Sequence, residues 1–94
     1  MPNIIVLYDI PSFVQEKWEN GMKAGGWKWI SRGAYAKAFP QPEQAAAEVT
    51  QIFETLGVEL EDEDDEHVRL VLPTRDQAGN PQIGIKTLFG KKPA

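Results

Sequence analysis

Asp9 stands where a carboxylate could do chemistry. It follows the apolar run Ile4-Ile5-Val6-Leu7-Tyr8 and precedes Ile10-Pro11. The run is mostly β-branched and long enough for a buried strand, which Pro11 ends because it cannot donate to a ladder. Asp9 is therefore delivered to an edge or cleft by a rigid element, a position that suits a catalytic or metal-binding carboxylate. Capping of the following turn is the alternative role. The rest of the repertoire is narrow. There is no cysteine, so no disulfide framework, thiolate metal site or thiol nucleophile. A single histidine, His67, nearly excludes Ser-His and His-rich zinc arrangements within one chain.

The formal charge of −4 hides an uneven distribution. Residues 59–66 hold seven of the fourteen acidic side chains, and the remainder carries ten basic against seven acidic groups. The acidic run reads as a solvated loop. It lacks the alternating ligands and central glycine of a calcium loop. The basic remainder leaves a polyanionic partner open.

The elements that must position Asp9 can be read from periodicity. Ser12-Phe13-Val14-Gln15 has the form of a capping box, and Phe13, Val14, Trp18 and Met22 recur at helical spacing up to Gly25-Gly26. Residues 27–39 are aromatic-rich and partly alternating, giving one long strand or two short ones bent at Gly33. A second helix opens at Pro42 and carries the stripe Ala45, Ala46, Val49, Ile52, Phe53 and Leu56 before Gly57. Val68, Leu70 and Leu72 alternate with His67, Arg69 and Val71 as a strand. Pro73 to Pro81 is turn-rich, and Ile83, Ile85, Thr87 and Phe89 alternate as a last strand before the tail Lys91-Lys92-Pro93.

Ninety-four residues in this order predict one domain over 1–94, an α+β ferredoxin-like βαββαβ sandwich with an additional C-terminal strand. Its two helices cover one sheet face and leave the other bare unless a partner covers it. Trp27, Trp29, Tyr35 and Phe39 share one parity. On the bare face they would form a dimer interface or a stacking platform; against the helices they would be core. A chain this small favours a homo-oligomer. No signal peptide or membrane-length apolar run is evident, so no membrane association and a cytoplasmic location are expected.

Several segments together resemble a known family. Tyr8-Asp9-Ile10-Pro11 closes an apolar first strand. Arg32-Gly33-Ala34-Tyr35 is followed closely by Phe39. An acidic loop precedes His67-Val68-Arg69-Leu70-Val71-Leu72, and Gln82-Ile83-Gly84-Ile85-Lys86-Thr87-Leu88-Phe89-Gly90-Lys91 closes the chain. This pattern is similar to the CRISPR-associated Cas two family, the small adaptation protein that partners the spacer integrase. The likeness covers nearly the whole chain, and Asp9 alone matches a functional residue. The family's first helix commonly opens with several arginines, where this chain has Lys17, and Trp27 and Trp29 lie outside the family pattern.

The resemblance implies a homodimer in which the two copies of Asp9 meet across a two-fold axis around a magnesium ion. Magnesium keeps most of its waters and needs only one or two carboxylates, so a symmetric pair suffices. Such an ion would permit phosphodiester hydrolysis, making the chain a metal-dependent endonuclease with Asp9 as its catalytic and metal-binding residue. The resemblance also implies spacer acquisition in antiviral defence, with the dimer as a scaffold between integrase subunits that grips duplex DNA through its phosphates. Lys17, Lys23, Lys28, Arg32, Lys37, Arg75, Lys91 and Lys92 are the candidate contacts. Ile83, Ile85, Thr87 and Phe89 could pair with a partner's strand edge.

Three other readings stay open. Arg32 to Phe39 faintly echoes the motif of sheet-surface RNA binders, but Ala34 and Ala36 stand where stacking aromatics belong. A stand-alone toxin-type endoribonuclease of the same fold would use Asp9 on RNA. A non-catalytic, nucleic-acid-related regulator would use the acidic loop as a polyanion mimic.

Overall fold

The computed structural model describes residues 2–61 and 65–90. The chain runs β1 (Asn3–Asp9), α1 (Ser12–Ala24), β2 (Lys28–Ser31), β3 (Ala34–Ala38), α2 (Pro42–Glu54), β4 (His67–Arg75) and β5 (Pro81–Gly90). One five-stranded sheet has the order β2-β3-β1-β4-β5, with every neighbouring pair antiparallel. This is the expected α+β, ferredoxin-like architecture, extended by β5 beyond β4.

The core lies between the sheet and the two helices. Alternation along β1 sends Ile4, Val6 and Tyr8 inward, and Val68 and Leu70 of β4 join them. The helices answer with Val14, Trp18 and Met22 from α1 and Ala45, Val49 and Phe53 from α2. Trp18 is fully buried, edge-on to Tyr8 at 5.4 Å and to Phe53 at 6.1 Å between ring centroids. No helix among the described residues is long and apolar enough to cross a membrane.

Several local expectations need correction. Ser12 is not an N-cap: Pro11 takes that position, Ser12 is already helical, and no side chain caps α1. Phe13 leaves the apolar stripe and is 79 % exposed. Of the two readings of residues 27–39, the two short strands turning at Gly33 hold and the single long strand does not: they fold as the β2–β3 hairpin, with Ile30 as the extra residue of a bulge. The aromatic series splits accordingly. Trp27, Tyr35 and Phe39 are core, whereas Trp29 sits on the edge strand and is 59 % exposed.

The β4–β5 turn is shorter than the Pro73–Pro81 stretch suggested, because β4 runs to Arg75. Beyond Val71 this strand pairs only with β5, so Pro73 occupies a stretch with a free edge and its missing N–H costs no ladder bond there. Phe89 is also out of phase with Ile83, Ile85 and Thr87. A register shift pairs Arg69 with Thr87 but Val68 with Phe89, making Leu88 an extra residue. Phe89 thereby turns into the core, 4.2 Å from the Phe53 ring.

Candidate functional site

Residues opposite one another across antiparallel strands share a face, so the register maps the sheet face that carries no helix. One row crosses all five strands as Lys28, Ala36, Ile5, Val71 and Ile85. The next holds Ala34, Leu7, Arg69 and Thr87, and a third holds Asp9, His67 and Gly90. The open face is thus aliphatic through its middle and polar at one end. Its large exposed members are Ile83 (76 %), Ile85 (60 %) and, on the edge strand beside Lys28, Ile30 (48 %), with Ile5, Leu7 and Val71 half-buried. It carries no aromatic platform.

At the polar end, Leu7, Tyr8, Asp9, Ile10, Gln15, Arg32, Gly33 and His67 line a cleft of about 460 Å³. The end of β1, the first turn of α1, the β2–β3 turn and the start of β4 build it. Asp9 is exposed at the last position of β1, directly opposite His67 at the first position of β4. Arg32 is carried by the β2–β3 turn, which is tied to β1 where the Tyr8 amide donates to the Gly33 carbonyl at 3.0 Å. Gly33 holds φ +82°, and a Cβ there would come within 3.2 Å of the Tyr8 carbonyl oxygen. Glycine is what lets this turn lie close against the strand that delivers Asp9.

His67 is fixed from two sides. Its Nδ1 lies 2.9 Å from the Asp65 carbonyl oxygen. A carbonyl only accepts, so Nδ1 carries the proton and Nε2 is the ring nitrogen left to accept or ligate. On the other flank Gly90 pairs with His67 at φ +92°, and any Cβ there would run into the Glu66 carbonyl. Below the cleft, burial and the Glu19 charge push the Tyr8 phenol well above its ordinary range, and Tyr8 donates to Glu19 at 3.3 Å. Tyr8 is therefore a neutral wall of the cleft rather than a titrating group.

The cleft combines a carboxylate, an imidazole, a guanidinium and an amide. Arg32 and Gln15 are suited to phosphate oxygens, and Asp9 with His67 to a proton or a metal ion. Among the described residues no three His, Cys, Asp or Glu side chains are grouped as metal ligands. One chain thus supplies a partial donor set, and a magnesium ion held by Asp9 would need water, phosphate or a second chain for the rest.

Of the other basic candidates, Lys17 and Lys23 lie exposed on α1 and Lys28 on the outer strand β2. Lys37 is engaged in the fold. Its Nζ donates to Glu48 Oε1 at 2.8 Å and to the Gly25 carbonyl, and the same Glu48 oxygen accepts from Trp27 Nε1 at 3.1 Å. Arg75 sits at the far end of β4, roughly 26 Å from His67 at strand rise, and donates to the Gly79 carbonyl at 2.8 Å. Among the described basic candidates, Arg32 alone joins Asp9 in the cleft. Lys91 and Lys92, with part of the acidic run, lie outside the described residues.

Of the partner-binding candidates, Ile83, Ile85 and Thr87 are on the open face and Phe89 is packed inward. His67 and Gln15 are the site residues that the sequence does not single out for the cleft, and His67 is the instructive one. Its alternation with Val68 and Leu70 put it on the bare face, but its pairing with Asp9 depends on a register between strands nearly sixty residues apart. In comparisons with known proteins, no family model, no curated protein and no solved structure matches the chain.

Proposed function

We propose that this chain works as a homodimer, its open sheet faces packed together, that holds the phosphodiester backbone of nucleic acid at paired Asp9 clefts. The observation that carries this reading is the aliphatic face formed by Ile5, Leu7, Val71, Ile83 and Ile85, which ends at Asp9, His67 and Arg32. A monomer gains nothing by exposing two isoleucines beside such a row, whereas a second copy buries them and duplicates the cleft. The role is that of a scaffold in CRISPR spacer acquisition, as the sequence resemblance implies, with duplex DNA as ligand and an integrase meeting the free edge of β5. Arg32 would take phosphate oxygens. Asp9 would hold a divalent cation, magnesium by the resemblance, which when bound supplies Lewis-acid polarisation of the phosphate.

Sedimentation velocity on the wild type and on Ile83→Lys/Ile85→Lys tests the reading. The wild type should run as a dimer and the variant as a folded monomer with unchanged circular dichroism. A monomeric wild type at micromolar concentration would overturn it. A second reading, hydrolysis of DNA or RNA phosphodiesters at the same cleft, is favoured by the imidazole opposite the carboxylate. Asp9→Asn should then abolish metal-dependent cleavage while leaving binding of uncleaved nucleic acid in place. Cleavage that survives this substitution would remove the enzyme reading.

A further inference from the structure

We propose that Asp9 and His67 are a metal-ligand pair, and that this pair selects a borderline transition-metal ion of the zinc class over magnesium. The proposal deepens the homodimer reading and rests on it for the remaining ligands, which the same two residues of a second copy would supply.

The first support is position. The two side chains belong to directly opposed residues on one sheet face and line one cleft. Opposed residues of an antiparallel pair hold their Cβ atoms roughly 5 Å apart, within the span of two ligands on one ion. The second support is the tautomer. Metal-bound histidines almost always donate their other ring N–H to a carbonyl or carboxylate, which fixes the ring and raises its basicity. His67 has that arrangement before any ion arrives, with Nδ1–H on the Asp65 carbonyl and Nε2 left to ligate. The third is the backbone that supports it. Gly90 meets the Glu66–His67 backbone where any side chain would collide, so the start of β4 is held by close contact with β5.

Donor chemistry then sets the choice of ion. Magnesium prefers an all-oxygen octahedron and binds imidazole poorly, whereas imidazole with carboxylate suits the later first-row divalent ions such as cobalt, nickel and zinc. Two chains related by a two-fold axis offer two carboxylates and two imidazoles, a four-ligand set that one chain with its single histidine does not have. Arg32, on the opposite side of the cleft lining, remains for the phosphate.

The test is calorimetric titration of the full chain with zinc, cobalt and magnesium chlorides, with cobalt absorption as a spectroscopic readout and light scattering on the same samples. The expected result is one zinc or cobalt ion per two chains, bound at least about a hundredfold more tightly than magnesium. His67→Gln should lose at least about tenfold in zinc affinity and shift the cobalt spectrum, with magnesium binding and mass unchanged. Asp9→Asn should lose binding of all three ions, and Glu61→Gln in the acidic run should lose none. Zinc affinity that His67→Gln leaves intact, or equal affinity of the wild type for zinc and magnesium, would overturn the ligand pair. A monomer that binds one ion per chain in a His67-dependent way would uphold the pair and overturn the homodimer, so the two failures are separable.

Discussion

At the scale of single residues, the contrast between Lys37 and Arg32 separates fold from site. Both are cations near the β2–β3 hairpin, but Lys37 is half-buried and bonded to Glu48, while Arg32 is exposed in the cleft lining. Glu48 Oε1 is the common acceptor for Lys37 and Trp27, linking α2 to both β3 and the start of β2. Glu48→Ala should cost about 1–2 kcal/mol in denaturant-monitored stability, because it takes the acceptor from Trp27 Nε1 and leaves Lys37 only the Gly25 carbonyl. A cost near zero would mean the exposed part of the pair is fully exchanged for water. Alkaline pH should act through the tyrosines. Burial, followed by the Glu19 charge, raises the phenols of Tyr8 and Tyr35 above their ordinary range. The folded chain holds these protons more tightly than the unfolded one. Their stability contribution is complete below the unfolded value of about 10 and declines as pH rises beyond it. The denaturation midpoint should fall as pH rises above about 10, less steeply in Tyr8→Phe, and an identical slope in that variant would contradict the assignment.

Elements show where sequence reasoning reaches. The second helix was fully legible, because Pro42 opens it and its apolar stripe repeats at helical spacing, so local pattern and burial agree. Asp9 was legible for a similar reason: Pro11 ends the strand, whatever packs around it. Phe13 misled because helical spacing marks a stripe but not its width, and α1 buries only the three positions nearest the sheet. His67 was hidden because a cross-strand neighbour is set by register, a non-local property. Gly90 belongs to this scale too. Gly90→Ala combines a positive φ with a collision against the Glu66 carbonyl, and should cost about 1–3 kcal/mol by loosening the β4–β5 pairing at His67. Faster amide exchange at residues 67–69 than in the wild type would report it. Unchanged exchange would mean that β5 does not hold the histidine.

For the whole molecule, charge and apolar surface divide the labour. Half of the acidic side chains fall in residues 59–66, whereas Ile5, Val71 and Ile85 form one row of the sheet. Among the described candidates, Lys17, Lys23, Lys28 and Arg75 are spread over α1, β2 and the far end of β4 rather than gathered with Arg32. Affinity for duplex DNA should therefore come from many separated phosphate contacts and fall linearly on a plot of log affinity against log salt. Fluorescence anisotropy should give the Ile83→Lys/Ile85→Lys monomer a slope well below that of the dimer despite its added lysines, since each chain offers half the contacts. Equal slopes would place binding within a single chain.

The extra residue at Leu88 works as a phase shifter for the last strand. Odd-numbered side chains look outward up to Thr87 and inward from Phe89, so one segment serves two masters: a sticky outer half and a terminus moored to Phe53. Chain deletions should read this out directly. Removing Leu88 would leave Phe89 opposite Val68 and Thr87 opposite Arg69, a regular ladder with both faces in place. Removing Lys86 together with Leu88 would instead set Ile85 opposite Leu70 and reverse the facing of Ile83 and Ile85 relative to the mooring. The first deletion should leave a cooperative fold and the second should not, as a thermal melt of each would reveal. The slack in this strand therefore amounts to one residue, held between Ile85 and Phe89.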